Sequence, residues 1–214
     1  MAMLRGVSLL VLCVGARGFD FLKPKYWKDQ ILVTKLLSGV PKGSKVLEID
    51  ASDAKNLYYL PIGCDVTQWY ETSPKDEDRA PVTLAANKLG LAVKVTLARG
   101  PNKAPRLEAA SYDAAFCVRA LGRASERGGA DAARTVVDAA LECVKPGDGV
   151  FYFLEDAKNE ALLASVLDDH PLVADCEATV ENESIVGYVR TPTIAERGGG
   201  MASPKMSRSS KKKR

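Results

Sequence analysis

The chain has 214 residues, 46% hydrophobic and 27% charged, with 30 basic residues against 27 acidic and a formal net charge of +3. That suffices for one core of ordinary globular composition and excludes a collagen-like, coiled-coil or wholly disordered chain. Six basic residues (Lys205, Arg208, Lys211, Lys212, Lys213, Arg214) crowd the last ten positions without an acid, so residues 1–197 carry a net −3 and the body lacks the charge to wrap nucleic acid.

Residues 1–18, MAMLRGVSLLVLCVGARG, place Arg5 ahead of a short apolar run, Val7 to Val14, with small residues behind it. This resembles a secretory signal peptide or, if cleaved ahead of Phe19, the start of a bipartite plastid-targeting leader. An uncleaved anchor lying on a membrane surface is the alternative, since the run is short for a span. Residues 19–44 form an N-terminal segment in which Phe19, Phe21, Tyr26 and Trp27 either close over a small molecule or pack against a sheet edge.

From Lys45 onward strands and helices alternate. KVLEI reads as a strand after the turn PKGS, and LYYLP as a short helix stopped by Pro61. CDVTQWY is a second strand. SPKDEDRAPVTLAANKLG is polar and then helical, with Pro81 in the first turn and Gly90 at the C-terminal cap. VKVTLA is a third strand and YDAAFCVRAL a fourth. In DAARTVVDAALECV, Ala133, Val136, Val137, Ala140, Leu141 and Val144 recur at helical spacing. VFYFLE, apolar almost throughout, is a central fifth strand. NEALLASVLDD is a further helix, and VADCEATV and SIVGYVRT form an antiparallel hairpin across ENES. Residues 193–214 are expected to be disordered. Their KKKR is a solubilising tail, a nuclear address or an anionic-membrane contact. A leader and a nuclear address conflict, so a secretory, endomembrane or plastid destination stands against a cytoplasmic or nuclear one.

Five β-units joined by crossovers and closed by a hairpin predict an α/β fold with a mostly parallel sheet and helices on both faces. Ligand is expected outside the carboxyl ends of the central strands, at the switch point beside the first. Cys13, Cys64, Cys117, Cys143 and Cys176 show no CxxC spacing and are expected to be free, those in the apolar runs being buried. The single histidine, His170, reads as a helix-end residue, and no metal site is expected.

Four stretches carry a family resemblance: KVLEIDASDAKNLYYLP, YDAAFCVRAL, ALECVKPGDGVFYFLE and SIVGYVRTP. Over roughly residues 28–192 the chain resembles a class I S-adenosylmethionine-dependent methyltransferase of the type-11 group. The resemblance implies a three-layer, Rossmann-like sandwich over residues 45–192. Its seven-stranded sheet would have order 3-2-1-4-5-7-6, with the last strand antiparallel. It also implies cofactor contacts at Glu48, Asp50, Ser52, Ala54 and Glu71, Glu71 or its neighbour Tyr70 standing where an acid takes both ribose hydroxyls. Asp113 matches the acid that opens the fourth strand, Cys117 and Arg119 lie near the catalytic loop, and Arg119 or Arg123 would favour an acidic substrate unless they are solvated loop charges. Arg119, Tyr26 and Trp27 are the substrate-side candidates, and no catalytic residue is assigned.

The chain departs from the family at the glycines. Asp50, Ser52 and Ala54 occupy the three glycine positions of the first motif, and Asp148 replaces the second glycine of the fifth-strand motif. Asp tolerates a left-handed backbone and Ala does not. Two functions follow: a divergent methyltransferase acting on a small molecule, or a methyltransferase-fold binding or scaffold protein that has lost S-adenosylmethionine. A nicotinamide-dependent dehydrogenase is a third possibility, disfavoured by the terminal hairpin and the lack of a Tyr-xxx-Lys pair.

Overall fold

A computed structural model describes residues 24–51, 54–100, 103–197 and 207–209. The leader, Phe19, Phe21, Cys13, Ser52 and Asp53 lie outside these residues. Helix α1 (Pro24–Leu37) precedes β1 (Lys45–Ile49), a 3-10 turn (Asn56–Tyr59) and β2 (Asp65–Tyr70). Then come α2 (Asp76–Leu89), β3 (Ala92–Leu97), β4 (Ala114–Val118), α3 (Ala120–Cys143) and β5 (Val150–Asp156). After β5 follow α4 (Glu160–Leu167), β6 (Asp175–Glu181), β7 (Ser184–Arg190), α5 (Ile194–Arg197) and β8 (Ser207–Ser209).

The sheet runs β3-β2-β1-β4-β5-β7-β6-β8. Strand β1 is central and pairs in parallel with both β2 and β4, while β7 runs antiparallel between β5 and β6. The expected order of the first seven strands therefore holds. The eighth is short, pairs in parallel with β6, and falls within the segment expected to be disordered. That segment also holds the single turn α5.

Period-two alternation divides the strands between two cores. Val46, Val66, Ala114, Phe116 and Leu154 face α1, the 3-10 turn and α2. Leu47, Ile49, Ala115, Cys117, Phe151 and Phe153 face α3 and α4. Leu32, Val33, Leu36 and Leu37 of α1 are buried in the first core, so the N-terminal segment is part of the domain's packing. Each fully buried Leu, Val or Phe contributes roughly 1.5–3 kcal/mol.

Three local expectations are corrected. Helix α2 begins at Asp76, so Pro81 lies inside it and not in its first turn. The carboxylates of Asp76, Glu77 and Asp78 favour that earlier start at the positive end of the helix. Gly90 does close α2 in the left-handed conformation, with φ 63°. The fourth strand stops at Val118 because Arg119 turns left-handed, with φ 58°. The hairpin loop is two residues, not four: Asn182 and Glu183 both take positive φ, 49° and 66°, the sign pattern of a type I′ turn.

Cys64, Cys117, Cys143 and Cys176 are free and buried. Burial pushes the Cys143 and Cys176 thiols up to about 12 and the Cys117 thiol well above its ordinary value. His170 is 3% exposed at the end of the α4 connection. Its Nδ1 accepts from the Leu172 N–H at 3.1 Å, and its Nε2 lies 2.7 Å from Asp138 Oδ1. It is a structural tie far from the strand ends described next.

Candidate functional site at the switch point

The carboxyl ends of β1 and β4 part at the centre of the sheet, where an open α/β sheet binds ligand. Asp50, the residue after β1, takes φ 52°, the left-handed bend that the first glycine position requires. The Ala51 N–H then bonds the Trp69 carbonyl at 2.8 Å and carries the loop toward β2. Ala54 is buried and keeps negative φ, so the feared strain is confined, among the described residues, to Asp50. The chain next makes the 3-10 turn Asn56–Tyr59 in place of a long helix. This crossover therefore aims no multi-turn helix N-terminus at the site.

Carboxylates and arginines fill the space beside Asp50. Arg123 Nε donates to Asp50 Oδ2 at 2.8 Å, and its other nitrogens reach the Asp50 carbonyl at 3.0 Å and the Val118 carbonyl at 3.1 Å. Arg127, one helical turn on, lies 3.5 Å from Asp50 Oδ2 and 3.4 Å from Glu71 Oε1. Glu71 is the first residue past β2 and Tyr70 the last within it. Burial pushes the Glu71 carboxyl up, with Arg127 opposing and Asp50 reinforcing.

Glu48 lies deeper. It is 1% exposed and accepts from Gln68 Nε2 at 2.7 Å and Asn56 Nδ2 at 2.8 Å. It ties the two strands to the 3-10 turn and holds the bend from beneath. Ser52 lies outside the described residues.

Arg119 is 21% exposed and already paired. It pairs with Asp156 at the end of β5 and with Asp29 of α1 at 2.8 Å, and its Nη2 donates to Ser184 Oγ at 3.3 Å. It binds α1, β5 and β7 together at this end of the sheet. Tyr26 and Trp27 stand beside the first crossover, their rings 5.3 Å apart and edge to face, with Lys55 Nζ 5.4 Å from the Tyr26 ring. Trp27 is half exposed. Asp113 sits at the opposite end of the sheet, accepting from the Lys45 N–H at 2.8 Å and from Lys145 Nζ at 2.5 Å.

Two features escape the first-motif reasoning. Glu155, at the end of the apolar β5, is fully buried and accepts from the Leu121 and Gly122 N–H groups at 2.8 and 3.2 Å. It satisfies the first turn of α3 in place of a local capping side chain. The acid closing the apolar run VFYFLE was the available signal. The second is the arginine pair, legible as a spacing of four in GRASER after the fourth strand. Among the described residues no group of three or more His, Cys, Asp or Glu could hold a metal ion.

Two cavities of about 370 and 410 Å³ lie elsewhere: one on the β5–β7–β6 face beside α1, the other around Gly43, Asp113 and Asp148 at the amino ends of the strands.

No protein-family model matches the chain, and no curated protein sequence matches it significantly. Its fold is shared by solved structures. TrmN from Thermus thermophilus is 17% identical with a TM-score of 0.55 over 76% of this chain and 48% of its own. An S-adenosylmethionine-dependent methyltransferase from Aquifex aeolicus is 18% identical with a TM-score of 0.52, covering 78% of this chain and 93% of its own. The [4+2]-cyclase SpnF is 14% identical with a TM-score of 0.53, covering 78% and 80%. The chain spans about half the length of TrmN. The architecture is the Rossmann-like fold of class I methyltransferases, with an antiparallel strand between β5 and β6.

Proposed function

We propose that this chain, built on the class I methyltransferase fold, is a divergent S-adenosylmethionine-dependent methyltransferase acting on a small-molecule acceptor. The observation that carries this is the pair of acids at the switch point: Asp50, which keeps the left-handed bend without glycine, and Glu71 immediately past β2. The donor set fits the ribose end of the cofactor, since two carboxylate oxygens match two adjacent hydroxyl donors. It fits the methionine end through charge and not through glycine backbone. When bound, the cofactor supplies a methyl group on a sulfonium. The chain's own residues orient it: Asp50 and Glu71 hold its polar groups, Glu48 braces the bend, and Tyr26 and Trp27 flank the acceptor side. Transfer from a sulfonium needs chiefly in-line placement of the acceptor. The net −3 of residues 1–197 favours a small acceptor over nucleic acid.

A second function, a cofactor-free scaffold, is favoured by one observation: Arg123 and Arg127 already pair with both acids. Calorimetry of the purified chain with S-adenosylmethionine and S-adenosylhomocysteine separates the two. Binding at micromolar concentration, about −8 kcal/mol, is the expected result. Absence of both heat and thermal shift at millimolar ligand leaves the scaffold.

A further inference from the structure

We propose that Arg127 is an electrostatic latch on this site, closing it by bridging Asp50 and Glu71 and yielding those acids when cofactor enters. The inference rests on the cofactor function proposed above and adds the residue that regulates access to it.

Three observations carry it. First, the arginines engage the acids that the cofactor requires. Arg123 holds Asp50, and Arg127 bridges Asp50 and Glu71. Second, the Arg127 contacts are weak enough to exchange. The two arginine side chains are 37% and 38% exposed, and the Arg127 contacts, at 3.4 and 3.5 Å, are longer than a tight charge-assisted bond. Partly solvated pairs of this kind hold only a small part of a micromolar binding free energy.

Third, the arginines sit on an arm with a break behind it. The backbone of α3 is non-helical at Gly128 and at Gly129, with φ 72° and ψ −169° at the latter, a region essentially closed to residues with a Cβ. Residues 126–131 are exposed, and a Cβ at Gly129 meets nothing within 4 Å. Glu155 fixes the first turn of the arm through the Leu121 and Gly122 N–H groups. The last turn, with exposed Arg127, runs straight into the break.

The test is calorimetric titration of the full chain with S-adenosylhomocysteine, whose net charge is zero, against two variants of one ion pair. Arg127→Gln frees Glu71 and is expected to tighten binding about three- to tenfold. Glu71→Gln removes the ribose acid and is expected to weaken it tenfold or more. A merely structural ion pair would move both variants in the same direction. Raising salt from about 0.05 to about 0.5 M, which shortens the reach of exposed charges, is expected to tighten binding to the wild type and leave Arg127→Gln unchanged. Thermal melts establish that both variants are folded. Weaker or unchanged binding by Arg127→Gln, beside wild-type binding, overturns the latch and leaves the cofactor function standing. Failure of all three proteins to bind overturns both.

Discussion

Replacing Gly187 with alanine tests the strand that distinguishes this architecture from other nucleotide-binding sheets. Gly187 lies in β7 opposite Phe153 of β5 and Ala178 of β6. Strand propensity alone favours the substitution, because glycine inside an element costs roughly 0.5–1 kcal/mol relative to alanine. The packing reverses the sign. A Cβ at Gly187 collides with the Phe153 ring and comes within 2.6 Å of the Glu177 carbonyl oxygen. The phenyl ring is fully buried and the carbonyl belongs to a paired strand, so neither yields cheaply. Overpacking of this kind costs about 1–3 kcal/mol, with the upper end favoured where backbone is struck, leaving a net loss of about 2 kcal/mol after the propensity gain. For a domain of this size that lowers Tm by about 4–8 °C. Urea unfolding followed by circular dichroism measures it, with m unchanged if the folded state is otherwise intact. A Gly187→Ala variant as stable as the wild type, or more so, would refute the placement of β7 between β5 and β6.

Glu155→Ala leaves the buried Leu121 and Gly122 N–H groups without their acceptor, and should destabilise the chain by about 2–4 kcal/mol in the same assay. Asp113 is raised by burial but lowered further by Lys145 and by the Lys45 N–H, so its folded pKa lies below the ordinary value. Its contribution is present above about pH 4 and fades as pH falls through the folded value. The stability gap between wild type and Asp113→Asn should accordingly narrow as pH falls below about 4, and a gap that widens there contradicts the Lys145 pairing. Cys64, Cys117, Cys143 and Cys176 should resist iodoacetamide in the native chain and react together on unfolding, as peptide mapping would show. Early alkylation of Cys117 alone would mean that the ends of β4 and α3 open locally.

The sheet was legible because its signals are local. Val46, Val66 and Phe116 alternate with polar or opposite-facing neighbours, Gly90 marks a helix end, and the short polar run after Val180 leaves room only for a turn. The switch point could be placed and its acids named, since Glu71 follows an apolar strand and Asp50 is a residue that tolerates the left-handed bend. What the acids touch was not legible. Arg127 lies 56 positions beyond Glu71 in the chain, and Arg119 gathers Asp29, Asp156 and Ser184 from three separate elements. Such contacts arise only once the sheet brings strand ends together. The start of α2 was misplaced for a different reason: tertiary context tolerates Pro81 on an exposed helix face, overriding its usual place at the first turn.

Among the described residues the first crossover from β1 to β2 carries one short 3-10 turn, and the charged groups at this bend are side-chain carboxylates and guanidiniums. Backbone amides at a helix end keep their partial charge in any medium, whereas the reach of exposed full charges shortens as salt rises. Uptake of the proposed cofactor at this end of the sheet should therefore track the salinity around the chain. The same polypeptide in dilute and in concentrated salt would grip that cofactor with different strength, though no residue had changed.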